Sequence, residues 1–210
     1  GIDCPVKRAV SPEVICRLMT DRKPLPGKLA FSRDLFVLLF LLRGMPFVDL
    51  AFLRRCDLQG NVITYHRRKT SRKLTVVVGK EAMEIIQKYM YAIPDSPYLF
   101  PIIQNPGKDE YGQYARMLRL QNYRLTQVAN ILGIRDRLST YTARHTWATT
   151  ALRQNYNSSL ICDAMGHSSV KVTETYFQPY RDDEVNRMNS SLITYILSKK
   201  KRGTDKKIRS

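Results

Sequence analysis

Leu138-Ser139-Thr140-Tyr141-Thr142-Ala143-Arg144-His145-Thr146-Trp147-Ala148-Thr149, then Ala164-Met165-Gly166-His167-Ser168-Ser169, then Thr173-Glu174-Thr175-Tyr176, are three pieces lying within forty residues. They bring an arginine, a histidine and a tyrosine to the edges of expected helices. The spacing predicts a helix over 141–155. A second, short helix starts with Ser158 or Ser159 as its cap and stops at Gly166, a residue type suited to the left-handed backbone of a helix end. Residues 170–176 form a further short helix or turn.

Outward from these pieces the chain reads as mainly helical. Ser11-Pro12-Glu13 is a helix start, with a capping serine, proline in the first turn and an acid beside it; that helix runs over 12–20. Residues 21–29 read as a loop. Ser32 caps a helix over 33–43 that is apolar nearly all round and therefore buried, with Gly44 as its stop. Pro46 opens the next helix, 47–55. The period changes at 61–78. Val62-Ile63-Thr64-Tyr65 and Leu74-Thr75-Val76-Val77-Val78 are β-branched runs flanking a polar turn, so they make a hairpin. Its connection, Arg67-Arg68-Lys69-Thr70-Ser71-Arg72-Lys73, is crowded with cations. Helices follow over 80–92 and 111–132, with an irregular proline-rich connection at 94–106. Helix 111–132 stops at Gly133 and carries Arg116, Arg119 and Arg124 on a basic face. Acids at 182–184 open a last helix running to 197, with apolar positions at Val185, Met188, Leu192, Ile193, Ile196 and Leu197. The fold class is α+β, mainly α with one small antiparallel sheet.

Composition narrows the partner. Lys and Arg number 35 against 18 Asp and Glu, a net charge of +17. Residues 199–210, read as a disordered tail, hold seven basic residues and one acid, so +11 belongs to the body. A basic body points to a polyanion, of which nucleic acid is the common one. No apolar run reaches the roughly 18 residues of a membrane span, and the first residues lack a secretory signal. The cysteines at 4, 16, 56 and 162 form no C-x-x-C pair, and with three histidines no zinc spacing arises. They read as free thiols of a reducing cytoplasm, three of them in the core.

The spacing Arg144-His145-Thr146-x-Ala148, then Gly166-His167-Ser168, then Tyr176 nine residues after that histidine, resembles the tyrosine recombinase (phage integrase) family. Lys69-Thr70 at a hairpin resembles the lysine element of the same family. The likeness covers about residues 12–195 and is strong because several separated elements agree. The implied unit is a catalytic domain over 1–198. In the family, the helix at 182–198 often docks on a neighbouring protomer; folding back on its own core is the equal alternative. An N-terminal DNA-clamping domain is also implied, and none is expected in this chain.

The resemblance assigns roles. Tyr176 is the nucleophile, a phenol with a pKa of about 10 that needs its oxyanion stabilised. Arg144 binds the non-bridging phosphate oxygens, which a guanidinium fits in a bidentate way. His167 hydrogen-bonds the phosphate and assists proton transfer. Lys69 is the general acid for the leaving 5′ oxygen. Two positions depart from the pattern. Tyr141 stands where a histidine is usual and is assigned hydrogen bonding. The family's first arginine aligns with Pro46, so Arg43 is taken to replace it, with Arg33 as the other choice. Asp49 supports the site by holding an arginine or capping helix 47–55. Arg67, Arg68, Arg72, Lys73, Arg116 and Arg119 are DNA contacts.

The resemblance thus implies a site-specific DNA recombinase or integrase of a mobile element, cutting and rejoining double-stranded DNA through a 3′-phosphotyrosyl intermediate. No metal or nucleotide cofactor is implied. A tetramer on DNA, a monomer when free, and the cytoplasm of a prokaryotic or mobile-element host are the accompanying expectations. The alternatives are a basic DNA-binding module without catalysis and a type IB topoisomerase-like enzyme.

Overall fold

The computed structural model describes residues 9–167, Asn186 and 189–193. The chain divides into two compact units, 1–176 and 177–210. The first unit contains α1 (Pro12–Thr20), α2 (Gly27–Leu41), α3 (Phe47–Ala51), a 3-10 turn (Arg55–Asp57), strands β1 (Leu58–Gln59), β2 (Val62–His66) and β3 (Lys73–Val77), and helices α4 (Lys80–Tyr89), α5 (Glu110–Leu132), α6 (Thr140–Arg153) and α7 (Ser158–Met165). In the second unit the described residues 186 and 189–193 are helical, within the helix expected there. The expected element at 170–176 and the tail 199–210 lie outside the described residues.

Helix α2 is the axis of the first unit. Leu35, Phe36, Leu38 and Leu39 are fully buried, and the helix packs against α1, α4, α5 and α6. Burying side chains of this size stabilises by about 2 kcal/mol each before entropy is counted. The helix begins earlier than expected, at Gly27 behind Pro26, and Ser32 is an interior residue with no exposure rather than a cap. Leu29 already faces the core, so the apolar pattern starts a turn sooner. At its far end Arg43 and Gly44 both take positive φ, and the amides of Gly44 and Met45 turn back to the carbonyls of Phe40 and Leu39. That double left-handed step reverses the chain into α3.

Helix α3 is shorter than the expected 47–55. Past Ala51 the backbone is taken over by pairing with 97–99: Leu99 N–H donates to Leu53 O, and Arg55 N–H to Pro97 O. The hairpin has the expected strands in antiparallel order β1-β2-β3, with β1 added by a tight turn at 60–61. Register places Ile63 opposite Val76 and Tyr65 opposite Leu74, all four buried on one face. Helix α7 is capped by Asn157, whose side chain accepts from Ser159 N–H, not by Ser158 or Ser159 themselves. Among the described cysteines Cys162 is buried while Cys16 and Cys56 are exposed, so the expected three core thiols are not reached. Among the described residues no helix is long and apolar enough to cross a membrane.

Candidate active site

The site is built where three chain reversals meet. The first is the start of α6. Ser139 accepts from Thr142 N–H while Thr142 Oγ1 accepts from Ser139 N–H, a reciprocal cap that starts the helix one turn before Arg144. The second is the end of α7. Gly166 is left-handed, its amide turns to Asp163 O, and His167 N–H donates to Cys162 O at 3.0 Å. This is a Schellman closure, and it fixes His167 just beyond the helix. The third is the α2–α3 reversal at Gly44.

Arg144 ties the three together. It is 4% exposed. One terminal nitrogen donates to Gly44 O at 2.5 Å. The other donates to Met165 O at 3.0 Å and to His167 Nε2 at 2.7 Å. A guanidinium has no acceptor, so Nε2 accepts here and the imidazole proton is assigned to Nδ1. Burial, then the charges of Arg144, Arg67 and Lys69, push the His167 pKa down to about 4. The ring is therefore neutral at pH 7. Gly44 is packed so closely that a Cβ there would lie 3.0 Å from Arg144 Cα.

Arg67 lies next to this pair and differs from the expectation of a DNA contact. It is 6% exposed. Its terminal nitrogen donates to Met165 O at 3.1 Å and Gly166 O at 2.8 Å, and its Nε to Asp49 Oδ2 at 3.4 Å. Asp49 is also buried, accepts Arg68 N–H at 2.9 Å, and has its pKa raised by desolvation against the pull of Arg68 N–H and Arg67. Asp49 thus holds an arginine, as expected of it. The clue to Arg67 was its position: 63, 65 and 67 share one face by the period of two, and that face is the core. The crowd of cations beside it masked the pattern.

Lys69 stands exposed on the hairpin turn, near enough for its charge to act on His167. Thr70 Oγ1 lies 3.5 Å from Gly166 O. Tyr141 is 50% exposed and its ring stands edge-on to His145 at 4.4 Å between centroids. Arg43 donates to Thr75 O at 3.2 Å on β3. Arg33, in the middle of α2, donates to Asp34 and to Asp21 O. Arg72 bridges to Asp163 at 3.0 Å and donates to His167 O at 3.2 Å. Arg68 lies over the Phe52 ring at 3.9 Å. Lys73, Arg116 and Arg119 are exposed, the last two on α5, where Arg124 is half-buried. Tyr176 lies outside the described residues.

A model of the phage integrase family matches residues 9–182. The chain belongs to the phage integrase family of tyrosine recombinases. It is 26% identical over 167 residues to the tyrosine recombinase XerC of Thermodesulfovibrio yellowstonii, a match covering 73% of this chain and 52% of that protein. The chain therefore spans about half the length of this curated relative. Among solved structures, the Tn1549 transposon integrase in complex with transposon right end DNA superposes with a TM-score of 0.68 at 14% identity, covering 91% of this chain and 68% of that one. XerA recombinase gives a TM-score of 0.62 at 19% identity, covering 87% and 62%. These likenesses identify the fold as that of tyrosine recombinase catalytic domains, mostly helical with a small antiparallel sheet.

Proposed function

We propose that this chain is the strand-cutting domain of a site-specific DNA recombinase or integrase of a mobile genetic element. Tyr176 Oη attacks the scissile phosphorus, and its proton passes to water. The bond from phosphorus to the 5′ oxygen breaks, and Lys69 gives that oxygen a proton. A 3′-phosphotyrosyl link remains. A 5′-hydroxyl from the partner duplex then attacks the link, its proton taken back by the neutral Lys69 amine; Tyr176 leaves, regains a proton from water, and the strands are joined. Arg144 neutralises the non-bridging oxygens, where charge develops in the transition state. His167 and Tyr141 supply hydrogen bonds to the same phosphate, and double-stranded DNA is met by the basic body, with a tetramer assembled on it.

The observation that supports this reading best is the buried Arg144–His167 pair, 2.7 Å apart, with the Lys69 charge beside it. A surface arginine would be solvated, whereas this one is held rigid by two backbone carbonyls before any phosphate arrives. The test is a duplex nicked near a candidate crossover, incubated at low salt and run on an SDS gel. Wild type should give a covalent adduct that Tyr176→Phe lacks. An adduct surviving in Tyr176→Phe would move the nucleophile to another tyrosine. DNA binding with no adduct from either protein would favour the non-catalytic module. Relaxation of a plasmid without a specific site would favour the topoisomerase-like enzyme.

A further inference from the structure

Pro46 occupies the place where the family pattern carries its first arginine, and a proline brings no charge to a phosphate. Arg43 and Arg33 were the sequence candidates to replace it. Arg43 directs a terminal nitrogen to Thr75 O, and Arg33 is bound to Asp34. The arginine that converges on Arg144 is a third one, from the hairpin. Arg67 Nη1 and Arg144 Nη2 donate to the same carbonyl, Met165 O, at 3.1 and 3.0 Å. Both side chains are buried. Two guanidiniums that share one acceptor mutually repel, which a protein tolerates only where their joint positive field is compensated or used.

We propose that Arg67 supplies the second fixed positive charge of the phosphate site, in the role left open by Pro46, acting from behind Arg144 and through the Gly166–His167 turn that it anchors. The inference rests on the reading of Arg144 and His167 as that phosphate site. Arg67 is a positioning residue. Its hydrogen bond to Gly166 O at 2.8 Å holds the turn that aims His167. Its stem fills the space that a side chain at Gly166 would need, since a Cβ there would lie 2.6 Å from Arg67 Cδ. Asp49 orients the guanidinium through Nε, so the carboxylate three residues after Pro46 serves an arginine on the hairpin. The charge of Arg67 also reaches His167, where it disfavours the protonated ring.

The experiment compares single-turnover adduct formation by wild type, Arg67→Lys, Arg67→Gln and the double variant Asp49→Asn/Arg67→Gln. Arg67→Gln should slow cleavage by about 10²–10³, as loss of one charge-stabilising group does, and Arg67→Lys by less. A neutral methylphosphonate at the scissile position should narrow the gap between Arg67→Gln and wild type, which a purely structural defect would not do. The double variant removes both buried charges, so it should regain the wild-type unfolding midpoint and remain slow. Wild-type cleavage by the double variant would overturn the proposal, because Arg67 would then serve only to neutralise Asp49. A methylphosphonate that leaves the ratio unchanged would also overturn it. If wild type itself forms no adduct, the recombinase reading fails. Arg67 is then judged on the NMR titration of His167 in Arg67→Gln, which must shift upward; an unmoved titration refutes it.

Discussion

His167 shows how a single residue is set by its surroundings. Its pKa lies at about 4 because burial and then three cations disfavour the charged ring. At pH 7 the ring is neutral in the native chain and mostly so in the unfolded one. As pH falls below 6.5, the unfolded chain takes up a proton that the native ring refuses, so native stability declines until the pH reaches about 4. The integrated loss is roughly 3 kcal/mol. Urea titrations between pH 7 and pH 4 should show that decline, and His167→Gln should flatten it by a similar amount. An unchanged slope in His167→Gln would assign the decline to other groups. Anionic phosphate next to the ring should raise the same pKa, so NMR with bound duplex is expected to show His167 titrating above its free value. The residue type and spacing made His167 legible in the sequence; its lowered pKa comes first from burial and then from Arg144 and Arg67, neither of which is its neighbour in the chain.

Among the elements, the reversal between α2 and α3 is the one on which the site depends most. Gly44 has φ +65 and its carbonyl accepts from Arg144. Gly44→Ala should cost about 1–2 kcal/mol from the left-handed backbone alone, and more from the 3.0 Å approach to Arg144 Cα. Chemical denaturation would measure it, and a loss under about 0.5 kcal/mol, the size of an ordinary surface change, would contradict the packing. Ser139→Ala removes the cap that starts α6 and should cost about 1 kcal/mol. Gly44 was readable as a stop; the Ser139 cap was not read, and the helix was expected to start at 141 rather than at Thr140. The strands of the hairpin were readable by their period. The early start of α2, the short α3 and the extra strand β1 were not, because each depends on partners elsewhere, such as the 97–99 segment that captures the backbone after Leu53.

For the molecule as a whole, charge is the governing quantity. With +17 overall, duplex binding should weaken steeply with salt. Arg116 and Arg119 sit exposed on α5, in a row with Leu120 and Tyr123. Replacing both arginines by alanine should lower the slope of log K against log salt by about two, one for each lost phosphate contact, while leaving cleavage of already bound DNA unchanged. A slope equal to that of wild type, read by fluorescence anisotropy over a salt series, would remove α5 from the DNA-facing surface. The cations divide into two kinds that composition cannot separate: exposed ones such as Lys69, Lys73, Arg116 and Arg119, and the interior pair Arg67 and Arg144.

The sequence by itself determined the helical class and the hairpin, and its resemblance to tyrosine recombinases pointed to the arginine, histidine and lysine around which the candidate site is built. These follow from signals a few residues long: a cap, a glycine stop, a period of two or of 3.6, a fixed spacing. Only the tertiary structure decided which arginine stands beside Arg144. The contacts that decide it join Arg144 to Gly44 across 100 residues and Arg67 to Gly166 across 99. Their acceptors are backbone carbonyls, which every residue carries and which therefore leave no mark in the sequence.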